Sequence, residues 1–105
     1  MEFVLYKTLE RISECSDYEI QQILKEESPR LEITKSLLNV LHNFAVLHNI
    51  RLNKRQKAAF HPFTGAVLRL LGNSSLKKKK SILGRHPHLT RLIAKTCPRP
   101  KASSS

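Results

Sequence analysis

Four consecutive ammonium groups, Lys77-Lys78-Lys79-Lys80, form the densest charge in this 105-residue chain. Lysines are compact point charges that attract phosphates without reading base edges. Such a run is often no more than a solvated face or a nuclear-import signal, and its setting is what gives this one weight. All eight Asp and Glu residues lie between Glu2 and Glu32, and from Ile33 to Ser105 there is none. That second stretch carries fifteen of the nineteen Lys and Arg residues, a formal charge of +15, whereas residues 1–32 hold four cations against eight acids, or −4. A surface without carboxylates cannot neutralise itself and must draw counterions or a polyanionic partner. Nucleic acid fits that need, because each phosphate it offers releases a condensed counterion on contact.

A second cluster, Arg51, Lys54, Arg55 and Lys57, sits where a helix is expected to begin. The positive end of the helix dipole would reinforce its field, and backbone amides there could share in holding a phosphate. Lys54-Arg55-Gln56-Lys57 also fits a short import pattern, as the lysine run does. Arg69, Arg85, Arg91 and Lys95 extend the positive surface, with Arg99 and Lys101 on the tail. A helix-turn-helix reading would aim Arg55, Gln56 and Ala59 into a groove. It is weakened by Pro62 and two phenylalanines just beyond, and by Gln56 being the one good base-reading amide.

Other chemistries find little support. His86-Pro87-His88 lacks the i, i+4 spacing of helical metal ligands, and His42, His48 and His61 are scattered, so neither metal nor cofactor is expected. The acids show no base–nucleophile set and there is no glycine-rich phosphate loop, which argues for a non-enzyme without a small-molecule substrate. Cys15 and Cys97 read as two free thiols of a reducing compartment with no secretory leader before them, although they could join the first and last helices if those pack together. No apolar run approaches the roughly 18 residues of a membrane span.

The elements that must position the cations are helical. Leu5, Leu9 and Ile12 predict a first helix over roughly residues 2–14. Ser16-Asp17-Tyr18-Glu19 fits a capping box opening a second, which buries Ile20, Ile23 and Leu24 and stops at Ser28-Pro29. Ser28 and Pro29 are then expected to open a central third helix carrying Leu31, Leu37, Leu38, Leu41, Phe44, Ala45 and Leu47, ended by His48-Asn49. Asn53 and Gln56 predict the cap of a fourth, with Phe60, Phe63, Val67, Leu70 and Leu71 inward and a break near His61 caused by Pro62. After Gly72-Asn73, Ser74 or Ser75 starts a fifth that runs from Leu76 to Leu83 and ends at Gly84; because four successive lysines spread around a helix, it is expected to dock only by its ends. Pro87 begins a sixth with Leu89, Leu92 and Ile93 inward. The fold class predicted is all-α: one compact bundle of five or six short helices over residues 1–97, acidic over 1–32 and basic over 33–97, with a disordered basic tail at 98–105.

Three stretches in this order resemble small basic helical proteins encoded by Maverick/Polinton-type animal DNA transposons and related small DNA viruses. They are Ser28-Pro29-Arg30-Leu31 leading to Leu38-Asn39-Val40-Leu41, then Leu52 with Gln56-Lys57, then Ser75 through Lys80 followed by Ile82-Leu83. The resemblance implies a virion-core or nuclear packaging protein and brings no catalytic residues with it. Two departures stand out: a longer segment at Phe44–His48, and Pro87–Thr96 with a serine-rich end in place of a glycine-rich apolar tail.

The expectation is a nuclear or virion-associated protein that binds nucleic acid, DNA ahead of RNA, largely without sequence preference. Its phosphate contacts are expected from Arg51, Lys54, Arg55, Lys57, Arg69, Lys77, Lys78, Lys79, Lys80, Arg85 and Arg91. The rival readings are a helical adaptor whose acidic end meets one partner and whose basic end meets an acidic protein, with head-to-tail self-association as its variant, and a peripheral binder of anionic membranes.

Overall fold

Caps decide where the helices of this chain begin. A computed structural model describes residues 6–27, 29–48 and 50–97. The helices are α1 (Tyr6–Ile12), α2 (Asp17–Glu26), α3 (Glu32–Ala45), α4 (Lys54–Phe60), α5 (Thr64–Leu71), α6 (Leu76–Arg85) and α7 (Pro87–Thr96). A 3₁₀ turn, His61–Phe63, joins α4 to α5 end to end, which is the break that Pro62 demanded. With that pair taken as one broken rod, six helical bodies make an all-α domain, and among the described residues there is no strand. Its radius of gyration of 13.0 Å is that of a compact chain of this length, about 13 Å for 100 residues.

Three caps follow the sequence. Ser16 and Glu19 close a reciprocal capping box on α2, and Asn53 and Gln56 close another on α4, with bonds of 2.8 and 2.9 Å. Ser75 caps α6 by accepting from the Lys78 amide. Satisfying these otherwise orphaned amides is typically worth about 1 kcal/mol per cap.

The start of α3 departs from expectation. Pro29 and Arg30 form a turn instead of the first helical residues, and Ser28 lies outside the described residues. Leu31 takes the left-handed conformation (φ 54°, ψ 41°) and has no side chain with which to cap the helix. Glu27 does that work from the far side of the turn. Its carboxylate accepts from the amides of Ile33 and Thr34, both at 3.1 Å, and from the Thr34 hydroxyl. These are the second and third amides of α3, the positions an N-cap side chain normally serves.

Other boundaries also shift. α1 is described only from Tyr6, and the rest of its predicted N-terminal extension lies outside the described residues. α3 ends at Ala45, so Leu47 is not in its buried stripe but is half exposed beyond the helix. His48, at φ 56°, takes the left-handed position expected of Asn49, which lies outside the described residues. α6 continues through Gly84 to Arg85, and Pro87 rather than the glycine sets its end, by forcing His86 out of the helical region. The tail expectation for 98–105 falls outside the described residues.

α3 and α7 are the hubs of the packing. α3 meets α1, α5, α6 and α7, while α7 meets α1, α2, α3, α4 and α6. The core between them is aliphatic, with Leu9, Ile20, Leu37, Leu41, Leu83 and Ile93 fully buried. Thr90, buried in α7, donates its hydroxyl to the Leu83 carbonyl at 2.8 Å, so the α6–α7 corner carries no orphaned polar atom. α6 packs against α2, α3, α5 and α7, which corrects the expectation that it docks only by its ends: Leu83 is fully buried and the stems of Lys79 and Lys80 are half-buried.

Glu27→Ala tests the remote cap. Losing three acceptor contacts at the start of α3 should lower stability by about 2 kcal/mol, read as a lower urea midpoint with an unchanged m-value. Glu26→Ala, one residue away and exposed, should shift the midpoint little.

Candidate nucleic-acid interface

The predicted contact residues fall into separate groups. Lys77 and Lys80, from α6, face Lys25 of α2 across a shallow groove floored by Leu24 and Gly84. The two helices are tied there by Gln21, whose side-chain amide donates to the Gly84 carbonyl at 3.1 Å. Lys25 was missed by the sequence reading because it belongs to the acidic segment. Its signal was the i, i+3, i+4 spacing of Gln21, Leu24 and Lys25, which puts all three on one face of α2.

Arg69 of α5 and Arg85 of α6 flank a second groove, together with His86 and an apolar floor of Phe63, Ala66 and Ile82. The Phe63 ring lies edge-on to His86, with centroids 6.2 Å apart, and 5.7 Å from His88. Arg51 and Lys57 flank a third groove where α3 leads into α4, with His48, Phe44, Ile50 and Leu52. Phe44 is itself stacked at a tilt on Phe60, 5.0 Å away. None of the three grooves is lined by a carboxylate. Lys54 and Arg55 are exposed on α4 and Lys78 is exposed on α6, outside these grooves. Lys79 is half-buried.

Two expectations change at α4. Gln56 is committed to the capping box, its side-chain oxygen accepting from the Asn53 amide. The one good base-reading amide of the helix-turn-helix reading is therefore engaged within the protein. The same box fills the Gln56 amide with Asn53 Oδ1, so that amide is not open to an anion.

Arg91 is drawn inward and leaves the set of free cations. Its side chain is 18% exposed and pairs with Asp17. Its Nε donates to the Cys15 carbonyl at 3.0 Å, and another nitrogen lies 3.3 Å from His88 Nδ1. It thereby staples α7 to the link between α1 and α2. Three of the acids are similarly occupied: Asp17 by Arg91, Glu19 by its capping box, and Glu27 by α3. By contrast, among the described residues no carboxylate pairs with Lys77, Lys78, Lys79, Lys80, Arg69 or Arg85.

Cys15 and Cys97 are not joined in a disulfide; the first is buried and the second half-buried, and burial pushes the Cys97 thiol above its ordinary range. Among the described residues no three His, Cys, Asp or Glu side chains gather as a metal site would need, and no helix is long and apolar enough to cross a membrane.

The Arg91 staple separates structural from binding roles. Arg91→Ala removes the donor to a buried segment and should cost about 2 kcal/mol in urea unfolding. Asp17→Asn breaks only an ion pair whose carboxylate is 60% exposed, and should cost under about 1 kcal/mol. Equal losses from the two variants would refute the assignment of the Cys15 contact as the stronger part. Searches against protein-family models, curated proteins and solved structures bring no match to this chain.

Proposed function

We propose that this protein binds nucleic acid through backbone phosphates, largely independently of sequence, with its lysines and arginines as the contacts. The observation that carries this reading is the set of three cation-flanked, carboxylate-free grooves. Their cations are Lys25, Lys77 and Lys80; Arg69 and Arg85; and Arg51 and Lys57. Lys54, Arg55 and Lys78 add exposed charge beside them. The arginines present planar forks that suit phosphate oxygens, while the lysines act as point charges. With the Gln56 oxygen engaged in a cap, the bidentate amide contact to adenine is lost to this surface. A packaging role in a nucleus or a virion core follows naturally from binding of this kind, and fits the transposon-protein resemblance.

The test is salt dependence. If about six phosphates are neutralised, log K for a duplex DNA should fall against log salt with a slope of about −5. Changing Lys77, Lys78, Lys79 and Lys80 together to glutamine should weaken binding and flatten that slope by about 3, the share of Lys77, Lys78 and Lys80. Arg91→Ala should leave the slope unchanged. A flat salt dependence, or no binding to DNA at low salt, would sink the proposal. Loss of a co-purifying protein from the lysine variant with DNA binding intact would favour the adaptor reading instead.

A further inference from the structure

We infer that the nucleic acid bound is single-stranded, with unpaired bases entering the two arginine-flanked grooves. This rests on the phosphate-binding reading above and names its substrate class. A surface built only for duplex phosphates needs cations on a ridge or a saddle and has no use for apolar surface between them. Here Arg51 and Lys57 flank Phe44, Ile50 and Leu52, and Arg69 and Arg85 flank Phe63, Ala66 and Ile82. Each groove also carries a ring at its edge, His48 in one and His86 in the other. A positive groove that tracks the backbone, with aromatic and apolar surface for the bases, is the combination that single-strand binders use.

Duplex DNA keeps its base faces in the stack and offers an apolar groove little beyond thymine methyl edges. An unstacked strand has a base for each groove and phosphates for the flanking guanidinium and ammonium groups.

Three ligands of equal length decide the matter at one salt concentration: a single-stranded oligonucleotide, the same strand made abasic, and a duplex. The abasic strand keeps the phosphate charge of the first and lacks its bases. The base-bearing strand should bind about tenfold tighter than either of the others, the scale of one stacked base. The double variant His48→Asn with His86→Asn removes one ring from each groove and keeps every lysine and arginine. Asparagine tolerates the left-handed backbone at position 48, and it suits the helix-capping position at 86. This variant should lower affinity for the base-bearing strand severalfold and leave the abasic strand unaffected. Equal binding of base-bearing and abasic strands, or a single strand bound no tighter than the duplex, overturns the inference while phosphate binding stands. Absence of binding to all three at low salt overturns both.

Discussion

The hold of Glu27 on the first turn of α3 is the contact on which most of the arrangement depends. α3 is packed by α1, α5, α6 and α7, so a change in where it starts is passed to the elements that carry the cations. A left-handed Leu31 costs about 1–2 kcal/mol of backbone energy. The carboxylate bonds to Ile33 and Thr34 offset that cost, as does the burial of the Leu31 side chain and of Thr34. The three residues from Pro29 to Leu31 thus turn the chain between α2 and α3 while leaving the helix end satisfied.

This use of Glu27 belongs to a wider division of labour among the charges. In the acidic segment, Asp17, Glu19 and Glu27 are spent on a staple and on two helix starts. These three act in the N-terminal third as structural groups. The basic remainder receives no such return: Arg91 alone among its predicted contact residues is neutralised by a described carboxylate. Repulsion among the other cations stays tolerable because they face solvent, where two unit charges 4 Å apart interact by only about 1 kcal/mol. An aliphatic core spanning α1 to α7 outweighs terms of that size.

What was legible in the sequence follows from the range of the interactions concerned. Ser16 with Glu19, Asn53 with Gln56, and Pro62 act within a few residues of themselves, and their helix boundaries could be read directly. The start of α3 could not. Ser28-Pro29 carries a strong local signal for a helix start, and the competing signal is a carboxylate whose partners lie six and seven residues onward. Gly84 failed similarly as a stop, because packing on both sides of α6 carries the helix past it to the stronger constraint at Pro87. The charge clusters were visible as composition, but their grouping was tertiary. Nothing local joins Lys25 to Lys77, or Arg69 to Arg85, and nothing local shows that Arg91 reaches Cys15 across 76 positions.

The lysine run is where folding and binding meet. A free, flexible tetralysine would have to be ordered by its ligand, and each long side chain would lose rotamer freedom at a cost of about 0.5–1.5 kcal/mol. In α6 the backbone is already fixed by the Ser75 cap, the buried Leu83 and the Gln21 bond to Gly84. The stems of Lys79 and Lys80 lie partly against the protein, which restrains them before any ligand arrives. Part of the ordering cost is therefore met in folding, and the run is better organised for phosphates than an import tag on a loose tail needs to be. The lysines that make α6 an improbable core helix by composition are the ones on which the proposed phosphate binding rests, and Leu83 is what holds their helix to the core.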